Sequence, residues 1–257
     1  MMTIQQLIAI VIDASGLMVT DGFDIEQKDG CENIVTSSDV AVQDFLCQQL
    51  SLLMPSSGFL CEEKDMNDAQ LHEYTWIIDP IDGTANYSRG IDQCAICVGL
   101  KHGEEMEMGV VYLPRTDEMF YAEKGKGAFC NGKSIHVSER AFNNGVLCTA
   151  LPVYHKEYTD ICSRIIIDAF HQCNDIRRFG ACAPELCYLA MGRCELYFEY
   201  LLSPWDYAAA SLILTEAGGI ISSAQGCPLC LTEPSGVIAA NNAANYRQLL
   251  DIVKRHS

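Results

Sequence analysis

One short stretch constrains this chain more than any other: residues 76–84 read Trp-Ile-Ile-Asp-Pro-Ile-Asp-Gly-Thr. The apolar residues before Asp79 have the length and the isoleucine and aromatic content of a buried strand. We expect that strand to stop at Pro80, because proline cannot donate to a sheet ladder. Asp79 would then lie at the carboxyl end of a strand, where open α/β sheets bind ligands. The turn that follows can bring Asp82 to the same point.

The residues after Asp82 suggest an anion site beside the two carboxylates. Gly83 and Thr84 begin a predicted short helix over residues 84–88, and free N–H groups at a helix N-terminus bind phosphate. Two carboxylates can face a phosphate only if cations lie between them, which suggests Mg²⁺-assisted chemistry. A solvent-exposed turn explains the stretch equally well, because Asp, Pro and Gly are the commonest turn residues.

Two acidic residues end other predicted strands. Glu62 follows the short apolar run 59–61, so neighbouring strands would end in Glu62 and Asp79 and could share a metal ion. Glu199 ends the predicted strand 195–200. The alternative for Glu62 is that it simply begins an acidic loop.

Two further acidic residues are predicted in the first turns of helices. Asp39 begins a helix that we expect Ser37 or Ser38 to cap, and Asp206 follows Pro204 at the start of another. A carboxylate in the first turn also stabilises the helix dipole, which is a sufficient structural reason for both aspartates.

The formal net charge of −17 argues against a surface for nucleic acid or anionic membrane. It also implies that a phosphate-binding site in this chain needs cations. The first residues lack the basic segment of a secretory signal, and no stretch is long and uncharged enough to span a membrane. We therefore expect a cytoplasmic protein.

The 14 cysteines are irregularly spaced, which predicts free and mostly buried thiols in a reducing compartment. Two Cys-x-x-Cys pairs, Cys94/Cys97 and Cys227/Cys230, could in principle form a zinc site. Cys94 and Cys97 lie at a strand-like run, however, where side chains three residues apart point to opposite faces. A four-cysteine zinc site is therefore not expected.

The pattern of predicted elements changes near residue 140. Residues 1–140 read as an α+β half, with a helix over 4–20 and an antiparallel meander over 93–137. Residues 141–257 alternate strands and helices in α/β style, and we expect both halves to form one compact unit. Lys28 lies in a polar loop over 21–32, where a solvated lysine is the ordinary interpretation.

Several segments, taken in order, resemble the inositol monophosphatase family. They are Val35–Asp39, Glu62-Glu63, Trp76–Thr84, Trp205–Ala210 and Glu216–Gly219. The resemblance implies a layered αβαβα sandwich and Mg²⁺-dependent, Li⁺-sensitive hydrolysis of a phosphate monoester, with two to three metal ions.

The resemblance also assigns metal ligands. By position, the first metal site corresponds to Glu62, Asp79 and the Ile81 carbonyl, and the second to Asp79, Asp82 and Asp206. Lys28 falls where family members place a lysine near a third, weaker metal. Mg²⁺ prefers these oxygen ligands, which agrees with the assignment.

Catalytic and substrate contacts follow from the same resemblance. Thr84 and Asp39 match the pair that orients and deprotonates the attacking water, and Glu62 reaches that water through its metal. The N–H groups of Gly83 and Thr84 match phosphate contacts. The substrate-binding residues implied by the family are Asp82, Gly83, Thr84, Cys182 (through its backbone), Glu199 and Asp206.

The expected partner is a small phosphate ester, with inositol 1-phosphate first and fructose 1,6-bisphosphate second. Thr84-Ala85-Asn86-Tyr87 is close to the run of enzymes for those two substrates and lacks the lysine of histidinol and nucleotide phosphatases. Arg178 could hold a second phosphate or pack on the surface. Because some bacterial relatives act on the transcription machinery, an interaction protein is a further alternative, and a homodimer is expected from the family alone.

Overall fold

The computed structural model describes residues 2–19, 22–27, 34–63 and 72–256, so Lys28 lies outside the described residues. The fold is the expected layered αβαβα sandwich. Its helices are α1 (Ile4–Ser15), α2 (Ser37–Leu53), α3 (Thr84–Tyr87), α4 (Thr159–Phe170), α5 (Cys182–Ala190), α6 (Pro204–Glu216) and α7 (Ala243–His256). Two short 3₁₀ turns occur at Phe142–Asn144 and Lys156–Tyr158.

The strands of the first half form a short ribbon and a large sheet. The ribbon pairs β1 (Ile25–Gln27) with β2 (Ile34–Thr36). The seven-stranded sheet consists, in spatial order, of β3 (Gly58–Cys61), β4 (Tyr74–Asp82), β5 (Ala95–His102), β6 (Glu105–Leu113), β7 (Glu118–Glu123), β8 (Ala128–Cys130) and β9 (Lys133–Ile135). Among the described strands of this sheet, only β3 and β4 pair in parallel. Strands β5 to β9 form the predicted antiparallel meander, and β4 pairs antiparallel with its first strand.

The second sheet has five strands in the order β11-β10-β12-β14-β13. They are β10 (Val146–Thr149), β11 (Asp175–Arg177), β12 (Leu196–Leu202), β13 (Ile220–Ser223) and β14 (Ser235–Ala240). The sequence prediction missed β13, a short strand after the glycine pair that ends α6. The four residues of β13 alone do not predict a strand, and it is their pairing with β14 that forms one.

Three apolar clusters separate the five layers. One joins α1 and α2 to the outer face of the large sheet, and another joins α4 and α7 to the outer face of the five-stranded sheet. The largest lies between the sheets and contains most of α5 and α6. Helix α5 is therefore buried throughout, and α6 is buried from Tyr207 to Leu214.

Helix α6 lies unusually close to the large sheet. A Cβ atom on Gly109 of β6 would overlap the carbonyl of Ala209, and one on Gly99 of β5 would lie 3.4 Å from the Ala209 nitrogen. The two glycines therefore allow the helix backbone to rest on the strands. This contact fixes α6, and with it Asp206 in its first turn.

The expectation that the central strand stops at Pro80 is wrong, because β4 continues to Asp82. Asp79 pairs with Cys97 and Asp82 pairs with Ala95, and the register shifts between these two pairs. The irregularity leaves Pro80 without a ladder partner in the described part of the sheet, so its missing N–H costs no ladder bond. The same irregularity brings Asp79 and Asp82 to one end of the strand.

The cap of α2 also differs from the prediction. Thr36, not Ser37 or Ser38, is the N-cap, and it forms a capping box with Asp39. Asp39 is therefore held by the helix start itself and is fully buried. The carboxylate has a local structural partner as well as any role in a site.

Most cysteines of the described residues are buried, as expected. The pair Cys94/Cys97 is buried in the large sheet, whereas Cys227 and Cys230 are exposed in the loop between β13 and β14. Within the described ranges, no helix combines the length and the apolar character that crossing a membrane requires.

Candidate active site

A single cleft of about 930 Å³ contains nearly all the residues singled out by the sequence. Asp39 is the exception, since it lies buried beneath the cleft and reaches it through Thr84. The predicted residues that line the cleft are Glu62, Asp79, Ile81, Asp82, Gly83, Thr84, Cys182, Glu199 and Asp206. Their roles as ligands or catalysts stay predictions, but the fold brings their side chains to one place.

Asp79 lies at the centre of an acidic cluster and is only 2% exposed. Its Oδ1 accepts a hydrogen bond of 3.0 Å from the Ile81 N–H, and its side chain shares a second hydrogen bond with Glu62. Burial raises the pKa of Asp79 well above its usual value, and the charges of Glu62, Asp82 and Asp206 raise it further. The four carboxylates are therefore close enough to repel one another when ionised.

Asp82 is held by the start of α5. Its two carboxylate oxygens accept the N–H groups of Cys182 (3.3 Å) and Ala183 (2.6 Å). Burial raises its pKa to about 7, although the Ala183 and Cys182 hydrogen bonds oppose the rise. Because the Cys182 N–H points to Asp82, the expected backbone contact of Cys182 with a substrate would have to use another group.

Asp206 is fixed in a capping box at the start of α6, where Oδ2 accepts the Ser203 N–H at 2.7 Å. Burial raises the pKa of Asp206 well above its usual value, and the charges of Asp82 and Glu62 add to the effect. Capping therefore explains one oxygen of Asp206, and the other side of the carboxyl group is available to the cleft.

The donor chemistry of the acidic cluster fits a hard divalent cation. Clustered carboxylates with upward-shifted pKa values favour a bound positive charge, and Mg²⁺ needs few direct protein oxygens because it keeps several waters. Within the described ranges, however, no three His, Cys, Asp or Glu side chains are already arranged to hold one metal ion. The assignment of metal ligands therefore rests on the chemistry of the cluster and stays a prediction.

Thr84 and Asp39, which the family resemblance pairs, are joined by a hydrogen bond. The Thr84 hydroxyl donates toward Asp39 Oδ1 at 3.1 Å or toward the Ile81 carbonyl at 3.0 Å. Oδ2 of Asp39 accepts both the N–H (2.8 Å) and the hydroxyl of Thr36. Burial raises the pKa of Asp39, and the hydrogen bonds from Thr36 and Thr84 oppose that rise. The pair connects the cleft to a buried proton acceptor.

Gly83 is the N-cap of α3 and has a left-handed backbone with φ of 85°. A Cβ atom there would lie 2.9 Å from the Gln93 carbonyl and 3.0 Å from the Ala181 Cβ, so glycine is required on two grounds. Because α3 has only four residues, its dipole is small, and any phosphate contact depends on individual N–H groups.

The far side of the cleft carries both acidic and basic side chains. Glu199 accepts a hydrogen bond of 2.8 Å from the Tyr197 hydroxyl, and burial raises its pKa to about 7 while the Arg178 charge lowers it. Arg178 and Arg89 are both exposed at the cleft. Sequence reasoning considered Arg178 but missed Arg89.

The cleft also has an apolar rim that the sequence analysis missed. Four of its large apolar side chains remain 36–59% exposed, namely Ile91, Leu151, Val153 and Tyr154. Partial burial raises the pKa of Tyr154 to about 12, and the charges of Glu62, Asp206, Asp79 and Asp82 add to the rise. The only sequence signal was the apolar run after β10, which continues beyond the strand.

The chain matches the inositol monophosphatase family over residues 2–257. It is 32% identical to the Nus factor SuhB of Vibrio cholerae over 228 residues, covering 88% of this chain and 85% of that protein. The putative Nus factor SuhB of Neisseria meningitidis serogroup B is 36% identical over 225 residues, covering 87% and 85%.

Solved structures agree with these sequence matches. The extragenic suppressor protein suhB of Bartonella henselae superposes with a TM-score of 0.91, at 28% identity and 99% coverage of both chains. The IMPase of Thermotoga maritima superposes with a TM-score of 0.88, at 28% identity, covering 98% of this chain and 96% of that one.

Proposed function

This chain belongs to the inositol monophosphatase family, and on that premise we propose that it is a Mg²⁺-dependent phosphatase whose leading substrate is inositol 1-phosphate. One observation carries the proposal: Thr84 lines the same cleft as the acidic cluster of Asp79, and its hydroxyl is hydrogen-bonded to the buried Asp39 beneath it. A hydroxyl group hydrogen-bonded to a buried carboxylate, next to oxygen ligands for hard cations, can serve the hydrolysis of a phosphate ester.

The acidic cluster would hold the metal ions. In this proposal Glu62, Asp79 and the Ile81 carbonyl bind one Mg²⁺, and Asp79, Asp82 and Asp206 bind another. Bound Mg²⁺ supplies charge neutralisation at the phosphate and acidifies a coordinated water. The capping bonds to Asp82 and Asp206 hold their carboxylates in place whether or not an ion is bound, so that little reorganisation is needed.

Thr84 and Asp39 would handle the proton of the attacking water. The Thr84 oxygen can accept a hydrogen bond from water while its own hydrogen points to Asp39 Oδ1. As the water attacks, Thr84 takes its proton and passes its own to Asp39. The upward-shifted pKa of Asp39 makes it a better proton acceptor than an exposed aspartate.

The remaining contacts would orient the substrate. The N–H groups of Gly83 and Thr84 face the phosphate oxygens, and Glu199 accepts hydrogen bonds from hydroxyl groups of the alcohol. Glu199 is already tied to Tyr197, so its carboxylate has a fixed direction. A polyol with neighbouring hydroxyls matches this acceptor better than a simple alkyl phosphate does.

Fructose 1,6-bisphosphate is the second candidate substrate, and it is favoured by the two exposed arginines of the cleft. Arg89 and Arg178 are the kind of side chain that binds a second phosphate in a forked geometry. A chain with a net charge of −17 offers few such positions. The rival non-enzymatic role, contact with the transcription machinery, is suggested by the names of the SuhB relatives.

A panel of phosphate esters tests the proposal. We expect phosphate release that requires Mg²⁺, with the highest kcat/KM for inositol 1-phosphate among inositol 1-phosphate, fructose 1,6-bisphosphate, histidinol phosphate and 3′-phosphoadenosine phosphate. Preference for the bisphosphate, lost in Arg178→Ala, would favour the second candidate. Absence of Mg²⁺-dependent release from all four esters would contradict the phosphatase assignment. The homodimer and the cytoplasmic location stay predictions.

A further inference from the structure

Residues 179–183 form a wall of the cleft that touches the phosphate and metal motif at three points. The Ala181 Cβ packs against Gly83, the N–H groups of Cys182 and Ala183 hold Asp82, and Asn86 Nδ2 donates to the Phe179 carbonyl at 2.7 Å. The position of this wall therefore sets the position of Asp82 and limits the space at Gly83.

One buried side chain fixes the start of this wall. Glu185, in the first turn of α5, is 0% exposed, and its Oε1 accepts the N–H of Phe179 at 2.7 Å and that of Gly180 at 3.0 Å. Gly180 is left-handed with φ of 84°, so the chain turns sharply there. The two hydrogen bonds hold the turn against the helix that follows it.

Packing alone does not explain why a glutamate is buried at position 185. Among the described residues, its second oxygen, Oε2, meets no hydrogen-bond partner, and burying such an atom is unfavourable. Burial raises the pKa of Glu185 to about 9, and the charge of Glu199 adds to the rise, so the side chain is a neutral acid near pH 7. An apolar side chain would fill the same space without an unmet oxygen.

We propose that Glu185 is a positioning residue for the cleft: by holding the N–H groups of Phe179 and Gly180, it sets the wall 179–183 that presents Cys182 and Ala183 to Asp82. The functional part of this inference rests on the phosphatase proposed above. Glu185 contacts neither substrate nor metal and acts only through the wall. What it supplies is one hydrogen-bond acceptor at a fixed reach, and its negative charge is not required.

Two variants distinguish the effect of losing the hydrogen-bond acceptor from the effect of changing the side-chain volume. Glu185→Gln keeps an acceptor oxygen at the same reach, whereas Glu185→Met keeps a similar volume without one. We expect kcat/KM of Glu185→Gln to stay within about threefold of the parent protein, and that of Glu185→Met to fall by about 10²-fold, because a small misplacement of reacting groups has effects of that size. Glu185→Asp, one methylene shorter, is the second variant if Glu185→Met does not fold, and should behave like it.

Amide hydrogen exchange of residues 179–183 in the metal-free protein gives a readout that does not depend on activity. Loss of the acceptor should accelerate exchange at Phe179 and Gly180 by about tenfold, and Glu185→Gln should preserve the slow rate. The inference is overturned if Glu185→Met, or Glu185→Asp, keeps both slow exchange and full kcat/KM, or if Glu185→Gln loses both.

The same measurements distinguish this inference from the proposed function. If the parent protein releases no phosphate from any ester, the phosphatase assignment fails, while the exchange rates still decide whether Glu185 holds the wall. If the parent protein is active and Glu185→Met, or Glu185→Asp, keeps both slow exchange and full kcat/KM, the positioning role fails alone.

Discussion

Replacing Thr84 by valine removes one hydroxyl and almost nothing else, which makes it the sharpest test of the proposed proton path. Valine matches the shape of threonine, so the packing of α3 should survive. The hydroxyl donates toward Asp39 Oδ1 at 3.1 Å and is the only part of Thr84 that links the cleft to that carboxylate. Thr84→Ser retains the hydroxyl and is the matched control.

The two consequences of Thr84→Val differ in size. Loss of a hydrogen bond to a carboxylate costs about 1.5–3 kcal/mol at most, and Asp39 keeps its two bonds from Thr36. Such a loss lowers Tm by about 3–12 °C for a domain of this size, at about 2–4 °C per kcal/mol. Loss of general base catalysis instead lowers kcat by about 10²–10⁴-fold, which corresponds to about 2.7–5.4 kcal/mol of activation free energy.

Steady-state kinetics with inositol 1-phosphate at saturating Mg²⁺, together with a thermal melt, measure both effects. We expect Thr84→Val to lose at least 10²-fold in kcat while KM changes little, and Thr84→Ser to retain most of the activity. If folded Thr84→Val keeps kcat within about threefold of the parent protein, Thr84 and Asp39 do not carry the proton, and the mechanism proposed here is wrong.

Three further outcomes follow from the structure. Li⁺ should inhibit phosphate release by replacing a weakly held Mg²⁺, and a flat Li⁺ titration at working Mg²⁺ would count against that. Gly109→Val should push α6 from the large sheet, because the added side chain meets the Ala209 carbonyl. We expect this overpacking to lower the free energy of unfolding by about 1–3 kcal/mol. Urea unfolding measures the change, and unchanged stability would contradict the expectation. Glu185 has a folded pKa of about 9, well above its unfolded value, so the folded state binds the extra proton and stability falls as pH rises from about 5 to about 9. Glu185→Gln should remove that fall, and equal Tm differences from the parent protein at pH 5 and pH 8 would contradict it.

Much of the fold was predictable because its sequence signals are local and strong. The meander over β5 to β9 follows from strand periods separated by turn residues, and α6 from Pro204 and the closing glycines. Strand ends predicted that Glu62, Asp79 and Asp82 lie together, the family resemblance added Glu199 and Asp206, and all five line one cleft.

The failures have identifiable physical causes. A local rule stopped β4 at Pro80, but the irregular pairing of Asp79 and Asp82 with β5 accommodates the proline. The cap of α2 was placed one or two residues too late, because Thr36 both ends a strand and forms the capping box.

Glu185 was missed because its partners lie in the turn that precedes α5, and the sequence gives no signal for that backbone conformation. A glutamate in the first turn of a helix suggests a dipole effect, and only the folded chain shows that it holds Phe179 and Gly180. The apolar rim around Tyr154 was missed for a similar reason, since its exposure depends on how the segment after β10 borders the cleft.

The most direct test of the central claim is Mg²⁺-dependent phosphate release by Asp79→Asn compared with Asp251→Asn, an exposed aspartate on α7. Asp79 is central to the acidic cluster and is assigned to both metal sites, whereas Asp251 carries the same charge far from that assignment. The account predicts that Asp79→Asn loses at least 10³-fold in kcat/KM at any attainable Mg²⁺ concentration, because two proposed ion sites lose a shared ligand, and that Asp251→Asn matches the parent protein. Full Mg²⁺-dependent activity in a folded Asp79→Asn protein would contradict the two-metal assignment.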